Sequence, residues 1–235
     1  MYAVSDFADF ICELDQLKAV KRQITLPCDN YRQENSAEHS WHVALMANML
    51  SEYAAKPIDV TRVIRMILIH DIVEIDAGDM FAFNHQTDHD AQAEKEGAAA
   101  KRIFGLLPSP LSSEMLDLWL EFEAAETADA EFAKSMDRVL PVFQNMEDNG
   151  GSWKRHGIAR EKIEKRNAHL KSCAPALWDY VMQQLDVAVE KENLSEKQRT
   201  MRLLNTYMIA TGCIVGEALL GTFLAIYYVL PLITG

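Results

Sequence analysis

The chain has 235 residues, which favours one domain with an appendage, and its 49% hydrophobic content is ample for one sizeable core. The formal net charge of −12 disfavours long-range attraction of duplex nucleic acid. The four cysteines, at positions 12, 28, 173 and 213, form no CxxC pair and indicate reduced thiols in a cytoplasmic protein. The N-terminal residues lack the basic region of a secretory signal.

Apolar side chains recur at helical spacing along most of the chain. Three of the predicted helices carry His39, His70 and Asp137. Other helices are predicted at about 5–19, 91–105, 111–125, 158–171 and 175–192. No period-two alternation bounded by turns is convincing, so the predicted fold class is all-α, a compact helical bundle.

Two stretches are predicted to be irregular. Residues 20–37 are interpreted as a long loop that leads into the helix of His39, and Gly78 to Asp90 as a segment at the rim of a pocket. Pro141 is expected to bend or interrupt its helix shortly after Asp137.

The C-terminal segment Met208–Gly235 has only one charged residue, Glu217. Its uncharged part, Ala218–Gly235, reaches the lower length limit of a membrane-spanning helix, and basic residues precede it. The alternatives are a helix buried in a homodimer and a tail packed against its own domain. The sequence leaves these readings open.

An ionisable pair, His70 and Asp71, follows the apolar run Val63–Ile69. Such groups are costly in a core when unpaired, so they indicate hydrogen bonding, ion pairing or a bound metal. His39 and Asp137 each lie on the buried face of another predicted helix. Together the four residues offer two imidazoles and two carboxylates to one cation.

Around these residues the chain resembles the HD-domain metal-dependent phosphohydrolases, and most closely the HD-domain 5'-deoxynucleotidases, which remove phosphate from deoxyribonucleoside monophosphates. The resemblance runs from about residue 5 to about residue 150. Its segments are Leu17-Lys18, Arg22, residues 32–40, residues 70–74 and Gly78-Asp79. It implies an all-α HD-domain bundle, taken as residues 1–193, followed by a C-terminal extension over 194–235.

The resemblance implies that His39, His70, Asp71 and Asp137 bind one divalent transition-metal ion. The sequence does not distinguish Co, Mn, Zn, Fe and Ni, and Mg fits the nitrogen ligands less well. Four protein ligands on a six-coordinate ion leave positions for water and a phosphate oxygen. Such an ion polarises the phosphoryl group and lowers the pKa of bound water.

Two further carboxylates match the family pattern. Glu74, in His70-Asp71-x-x-Glu74, is expected to orient water or pass a proton to the leaving 5'-oxygen. Its alternative is a solvated helix carboxylate. Asp79 corresponds to a family carboxylate that helps with water or the sugar, and its alternative is a turn or N-cap residue.

Arg22 is the candidate for binding the phosphate, because a guanidinium forks two phosphate oxygens. In the resembling enzymes an aromatic residue follows this arginine, whereas Gln23 stands here. The inference that an aromatic residue stacks on the sugar or base is weakened accordingly. Arg32 is expected to hold its loop through Glu34 or Glu38.

The leading functional hypothesis is a metal-dependent 5'-deoxynucleotidase that acts on a small nucleotide. The alternatives are an HD-type phosphodiesterase or pyrophosphohydrolase and a non-catalytic, metal-stabilised binding module. A homodimer is the expected assembly, and the protein is expected to be cytoplasmic, with membrane association through residues 208–235 as an option. The base, the sugar and the physiological metal stay open.

Overall fold

The computed structural model describes residues 2–83 and 86–195, within which the chain up to Leu194 forms one compact unit. The apolar segment 208–235 lies outside the described residues, so the three readings of it stay predictions. Within the described part of the chain, no helix has the length and apolar character needed to cross a membrane.

The N-terminal region is helical, as predicted, but it consists of three short pieces. A 3₁₀ helix at Val4–Phe7 is followed by α1 (Ala8–Glu13) and a second 3₁₀ helix at Leu14–Ala19. Leu17 is the residue of this region that is buried in the core.

The prediction of a loop at 20–37 is wrong for most of its length. Strands β1 (Lys21–Leu26) and β2 (Arg32–Asn35) pair as an antiparallel hairpin. Only Ile24 of β1 and Glu34 of β2 are buried. The hairpin therefore lacks the alternating apolar pattern by which a strand is recognised in a sequence.

The other regular elements of the described residues are helices, which confirms the predicted all-α fold class with the hairpin as a small addition. Their bounds are α2 Ser36–Leu50, α3 Val60–His70, α4 Glu74–Ala77, α5 Gln86–Phe104, α6 Leu111–Ala124, α7 Ala128–Glu147, α8 Gly151–Arg155, α9 Arg160–Arg166, α10 Leu170–Cys173 and α11 Pro175–Glu190. The segment predicted to be irregular up to Asp90 is therefore helical from Gln86.

Helices α3 and α7 differ in how they continue beyond their predicted ligands, and the interruption expected as one possibility at Pro141 does not occur. Helix α3 ends at His70, and a 3₁₀ turn at Asp71–Val73 precedes α4. Helix α7, by contrast, continues through Pro141 to Glu147. The side chains around this proline are buried in the core, and their packing holds the helix together although proline donates no backbone hydrogen bond.

Helix α3 packs against α2, α6 and α7. Its side chains Val63, Met66 and Ile67 are fully buried in the same core as Phe122 of α6 and Met136 of α7. Burying one such side chain contributes roughly 1.5–3 kcal/mol relative to leaving it in water. This core fixes α2, α3 and α7, which carry His39, His70 and Asp137.

Helix α2 begins with a capping box. The Asn35 side chain accepts a hydrogen bond of 3.0 Å from the backbone N–H of Glu38, whose carboxylate accepts one of 2.8 Å from the backbone N–H of Asn35. Arg32 donates two hydrogen bonds, of 2.6 and 2.9 Å, to the same carboxylate. The expectation that Arg32 holds this segment is confirmed for Glu38.

Replacing Asn35 with alanine should lower the free energy of unfolding by about 1 kcal/mol, because the first turn of α2 loses its cap. Urea denaturation of the purified variant measures this change. Asn48→Ala, at an exposed position of the same helix, is the matched control and should stay within about 0.5 kcal/mol of the wild type. Equal losses in both variants would contradict a specific role for the cap.

Candidate metal centre and its cleft

Three helices bring His39, His70 and Asp137 together. One ligand atom from each lies within 4.8 Å of the other two. The Asp137 carboxylate oxygen Oδ1 is 3.0 Å from Nε2 of His39 and 3.5 Å from Nε2 of His70. Three of the four predicted metal ligands therefore converge on one point.

The second ring nitrogen of each histidine has a partner that orients the ring. Nδ1 of His39 lies 3.2 Å from Oε2 of Glu34, and Nδ1 of His70 lies 2.6 Å from the carbonyl oxygen of Ile67. Since a carboxylate or carbonyl oxygen accepts the Nδ1 proton, the lone pair of a neutral ring is on Nε2. Both imidazoles thus present a metal-binding nitrogen to the common point.

Asp71 adjoins this group from the turn after α3. Its Oδ1 is 3.0 Å from Nε2 of His70, and its Oδ2 accepts a hydrogen bond of 2.7 Å from Arg22. The fourth predicted ligand therefore lies beside the other three, and one of its oxygens is held by an arginine.

The charges of the group depend on one another. Burial lowers the pKa of His70, but the carboxylates of Asp71 and Asp137 outweigh burial and raise it to about 9. Burial opposes ionisation of Asp137, yet its contacts with His39 and His70 hold its pKa well below the usual range. Asp137 is thus an anion between two imidazoles.

These residues fit a divalent transition-metal ion. Nε2 of His70 is buried and has no hydrogen-bond partner among the described residues, although carboxylate oxygens surround it. A buried polar atom without a partner is costly, and a cation shared with Asp137 and His39 would satisfy it. Imidazole nitrogens with carboxylate oxygens are a donor set for such metals.

Glu74 and Asp79 both lie beside this group, as predicted. Glu74, the first residue of α4, is buried, and its Oε2 accepts a hydrogen bond of 2.5 Å from the Ser36 hydroxyl. Burial, and then the charge of Asp71, raise the pKa of Glu74 well above its usual range. Burial also raises the pKa of Asp79, against the opposing charge of Arg22. The reading of Glu74 as a solvated carboxylate is wrong.

Arg22, on β1, lies within this set of acidic groups. Its guanidinium is bound to Asp71 and has oxygens of four other carboxylates within 4.0 Å, those of Glu34, Glu74, Asp79 and Asp137. Its side chain is only 14% exposed. The side chain is therefore largely buried, because the hairpin folds β1 over the group.

An open cleft leads to these residues. Its wall includes the aromatic side chains of Phe81, Phe83 and Trp153, and also two arginines, Arg138 and Arg166. Gln23, in place of the aromatic residue of the resembling enzymes, lines the same cleft.

Sequence reasoning missed Glu34, Arg138 and Arg166 as site residues. The sequence indicates Glu34 only as a partner for Arg32, because the contact of Glu34 with His39 depends on the unpredicted hairpin. Arg138 directly follows a predicted ligand, which was a usable signal. Arg166 gave none, since only the packing of α9 brings it to the cleft.

The comparisons with known proteins agree with this geometry. A model of the HD domain matches residues 14–178. The chain belongs to the HD-domain family. The predicted family and the predicted helical-bundle fold are confirmed, and this membership implies a divalent metal.

Individual HD-domain relatives are similar over most of their length. A crystal structure from Magnetospirillum magnetotacticum MS-1, described as a predicted metal-dependent phosphohydrolase, is 44% identical with a TM-score of 0.77, over 82% of this chain and 95% of that one. The 5'-deoxynucleotidase HDDC2 of Xenopus laevis is 31% identical, over 69% of this chain and 73% of that protein. The 5'-deoxynucleotidase of Cronobacter sakazakii is 26% identical, over 74% of this chain and 88% of that protein.

Replacing Glu34 with alanine should weaken metal binding by roughly tenfold to a hundredfold, the usual effect of removing the group that orients a histidine ligand. Titration of the metal-stripped variant against a chelator of known affinity measures the change. Glu52→Ala removes an exposed carboxylate that does not line the cleft and serves as control. Wild-type affinity in the Glu34 variant would show that the carboxylate does not support His39.

Proposed function

We propose that this protein is a divalent-metal-dependent 5'-deoxynucleotidase, which hydrolyses a deoxyribonucleoside 5'-monophosphate to a deoxyribonucleoside and phosphate. The observation that carries the proposal is the convergence of His39, His70 and Asp137 beside the buried carboxyl group of Glu74 at an open cleft. The nucleotidase names of two of the relatives above supply the substrate class.

The proposed metal ligands are His39, His70, Asp71 and Asp137. Nitrogen and oxygen donors together favour Co, Mn, Zn, Fe or Ni over Mg, without choosing among the five. When bound, the ion supplies Lewis-acid polarisation of the phosphoryl group and lowers the pKa of a bound water. The ring partners Glu34 and the Ile67 carbonyl keep both imidazoles aimed at it.

Glu74 is the proposed proton carrier. Its raised pKa favours the protonated carboxyl group, which can donate a proton to the leaving 5'-oxygen. The hydrogen bond from Ser36 fixes the orientation of the carboxyl group. Asp79, whose Oδ1 lies 3.7 Å from Nη1 of Arg22, is proposed to contact water or the sugar.

The cleft suits a nucleoside monophosphate. It combines charged side chains beside the proposed metal ligands with apolar and aromatic ones, which suits a ligand that has a charged phosphate and an aromatic base. Its wall includes the aromatic side chains of Phe81, Phe83 and Trp153, on which a base can stack. These residues can therefore take the stacking role of the aromatic residue that Gln23 replaces. Arg22, beside Asp71, is proposed to contact the phosphate near the metal.

A phosphate-release assay over deoxyribonucleoside and ribonucleoside monophosphates tests the function directly. Protein stripped with a chelator should be inactive, and one of the five metals should restore hydrolysis of a deoxyribonucleotide. His70→Ala should lose metal and activity together, because the ion loses one of four protein ligands, and elemental analysis gives the metal content. Hydrolysis that persists without metal, or a His70→Ala variant with full metal occupancy, would rule the proposal out.

Replacing Glu74 with glutamine should leave the metal in place but lower kcat by about a hundredfold to ten-thousandfold, since the amide keeps the shape but cannot transfer the proton. Steady-state kinetics at equal metal content measures this change. Asp76→Asn, an ion-paired carboxylate on the same short helix, is the matched control and should retain wild-type kcat. An unchanged kcat in the Glu74 variant would remove it from the mechanism.

A further inference from the structure

Two arginines that belong to none of the recognised motifs line the cleft. Arg138 follows Asp137 on α7, and Arg166 is the last residue of α9. Their chain segments approach each other, because the Arg138 guanidinium lies 3.5 Å from the backbone carbonyl oxygen of Arg166. The cleft thus holds two cationic side chains besides Arg22.

These two arginines differ from Arg22 in how their charge is balanced. Among the described residues, no carboxylate oxygen forms an ion pair with either guanidinium, whereas Arg22 has five carboxylates within 4.0 Å. An arginine already surrounded by acidic groups offers little net charge to an incoming anion. Arg138 and Arg166 are therefore the arginines of the cleft whose guanidinium groups have no ion-paired carboxylate among the described residues.

Placing unbalanced charges in a partly enclosed cleft is unfavourable. Burial lowers the pKa of Arg166, Asp137 opposes that shift, and the nearby Arg138 and Arg22 add to it. A guanidinium nevertheless stays charged at neutral pH. The electrostatic repulsion between two cations that are partly shielded from water is reduced when an anionic ligand binds between them.

We propose that Arg138 and Arg166 together bind the phosphate of the substrate and make the cleft selective for a dianionic phosphomonoester. The inference rests on the proposed function, since it names the groups that recognise its substrate. A guanidinium fork matches two phosphate oxygens, and two forks match the charge of a monoester above its second pKa of about 6.

This pairing also discriminates between classes of phosphate ester. A phosphodiester or cyclic nucleotide carries one negative charge and has no third terminal oxygen, so it leaves one of the two arginines unbalanced. The two negative charges of a terminal monoester balance the positive charges of both arginines. Arg138 and Arg166 therefore favour a nucleotidase over a phosphodiesterase at this site.

Isothermal titration calorimetry with inorganic phosphate and with a nucleoside, on metal-loaded protein at fixed ionic strength, tests the inference. Arg138→Gln and Arg166→Gln should each weaken phosphate binding by roughly tenfold to a hundredfold, as expected for a lost charge-assisted hydrogen bond, and leave nucleoside binding unchanged. Lys165→Gln removes an exposed charge from the same helix and should bind phosphate like the wild type. Arg166→Lys, which keeps the charge but loses the fork, should bind with intermediate affinity and covers the case in which the glutamine variant fails to fold.

The outcomes separate this inference from the proposed function. Wild-type phosphate affinity in folded Arg138 and Arg166 variants would overturn the inference, even if the protein hydrolyses nucleotides. Phosphate binding that depends on both arginines, in a protein without hydrolytic activity, would support the binding site and reject the nucleotidase. Equal losses of phosphate and nucleoside binding would also overturn the inference, because they indicate a collapsed cleft.

Discussion

The site depends on the concentration of buried negative charge around one guanidinium. Arg22 has five carboxylates within 4.0 Å, and a single positive charge cannot balance them. Additional positive charge comes from protons, as the raised pKa values of His70 and Glu74 indicate, or from a divalent ion. Protons and metal therefore compete for the same place, which links metal binding to proton release.

The fold maintains this unfavourable concentration of charge. The apolar packing of α3 against α2, α6 and α7 holds His39, His70 and Asp137 in position before any ligand arrives. The break between α3 and α4 has a specific effect at the same place. By replacing one helical turn with a 3₁₀ turn, it places Asp71 against His70 while Glu74 begins a new helix within reach of Ser36.

Sequence reasoning succeeded where the signal is local or periodic. Apolar periodicity predicted most of the helices, and the resemblance singled out His39, His70 and Asp137, which the structure brings together. It failed at β1 and β2, because the hairpin is short and mostly polar on both faces. It also missed Arg166, since a contact made only through the packing of distant helices leaves no pattern in the nearby sequence.

Strand β2 leads directly into α2, so an insertion or deletion of a residue in this strand would disturb the site. Neighbouring residues of a strand point to opposite sides, so Gln33 is exposed while Glu34 is buried against His39. Deleting one residue within β2 would exchange these two sides and remove the support of the imidazole. The turn between the strands lies at the exposed end of the hairpin, so insertions during evolution are better tolerated there than in the four residues of β2.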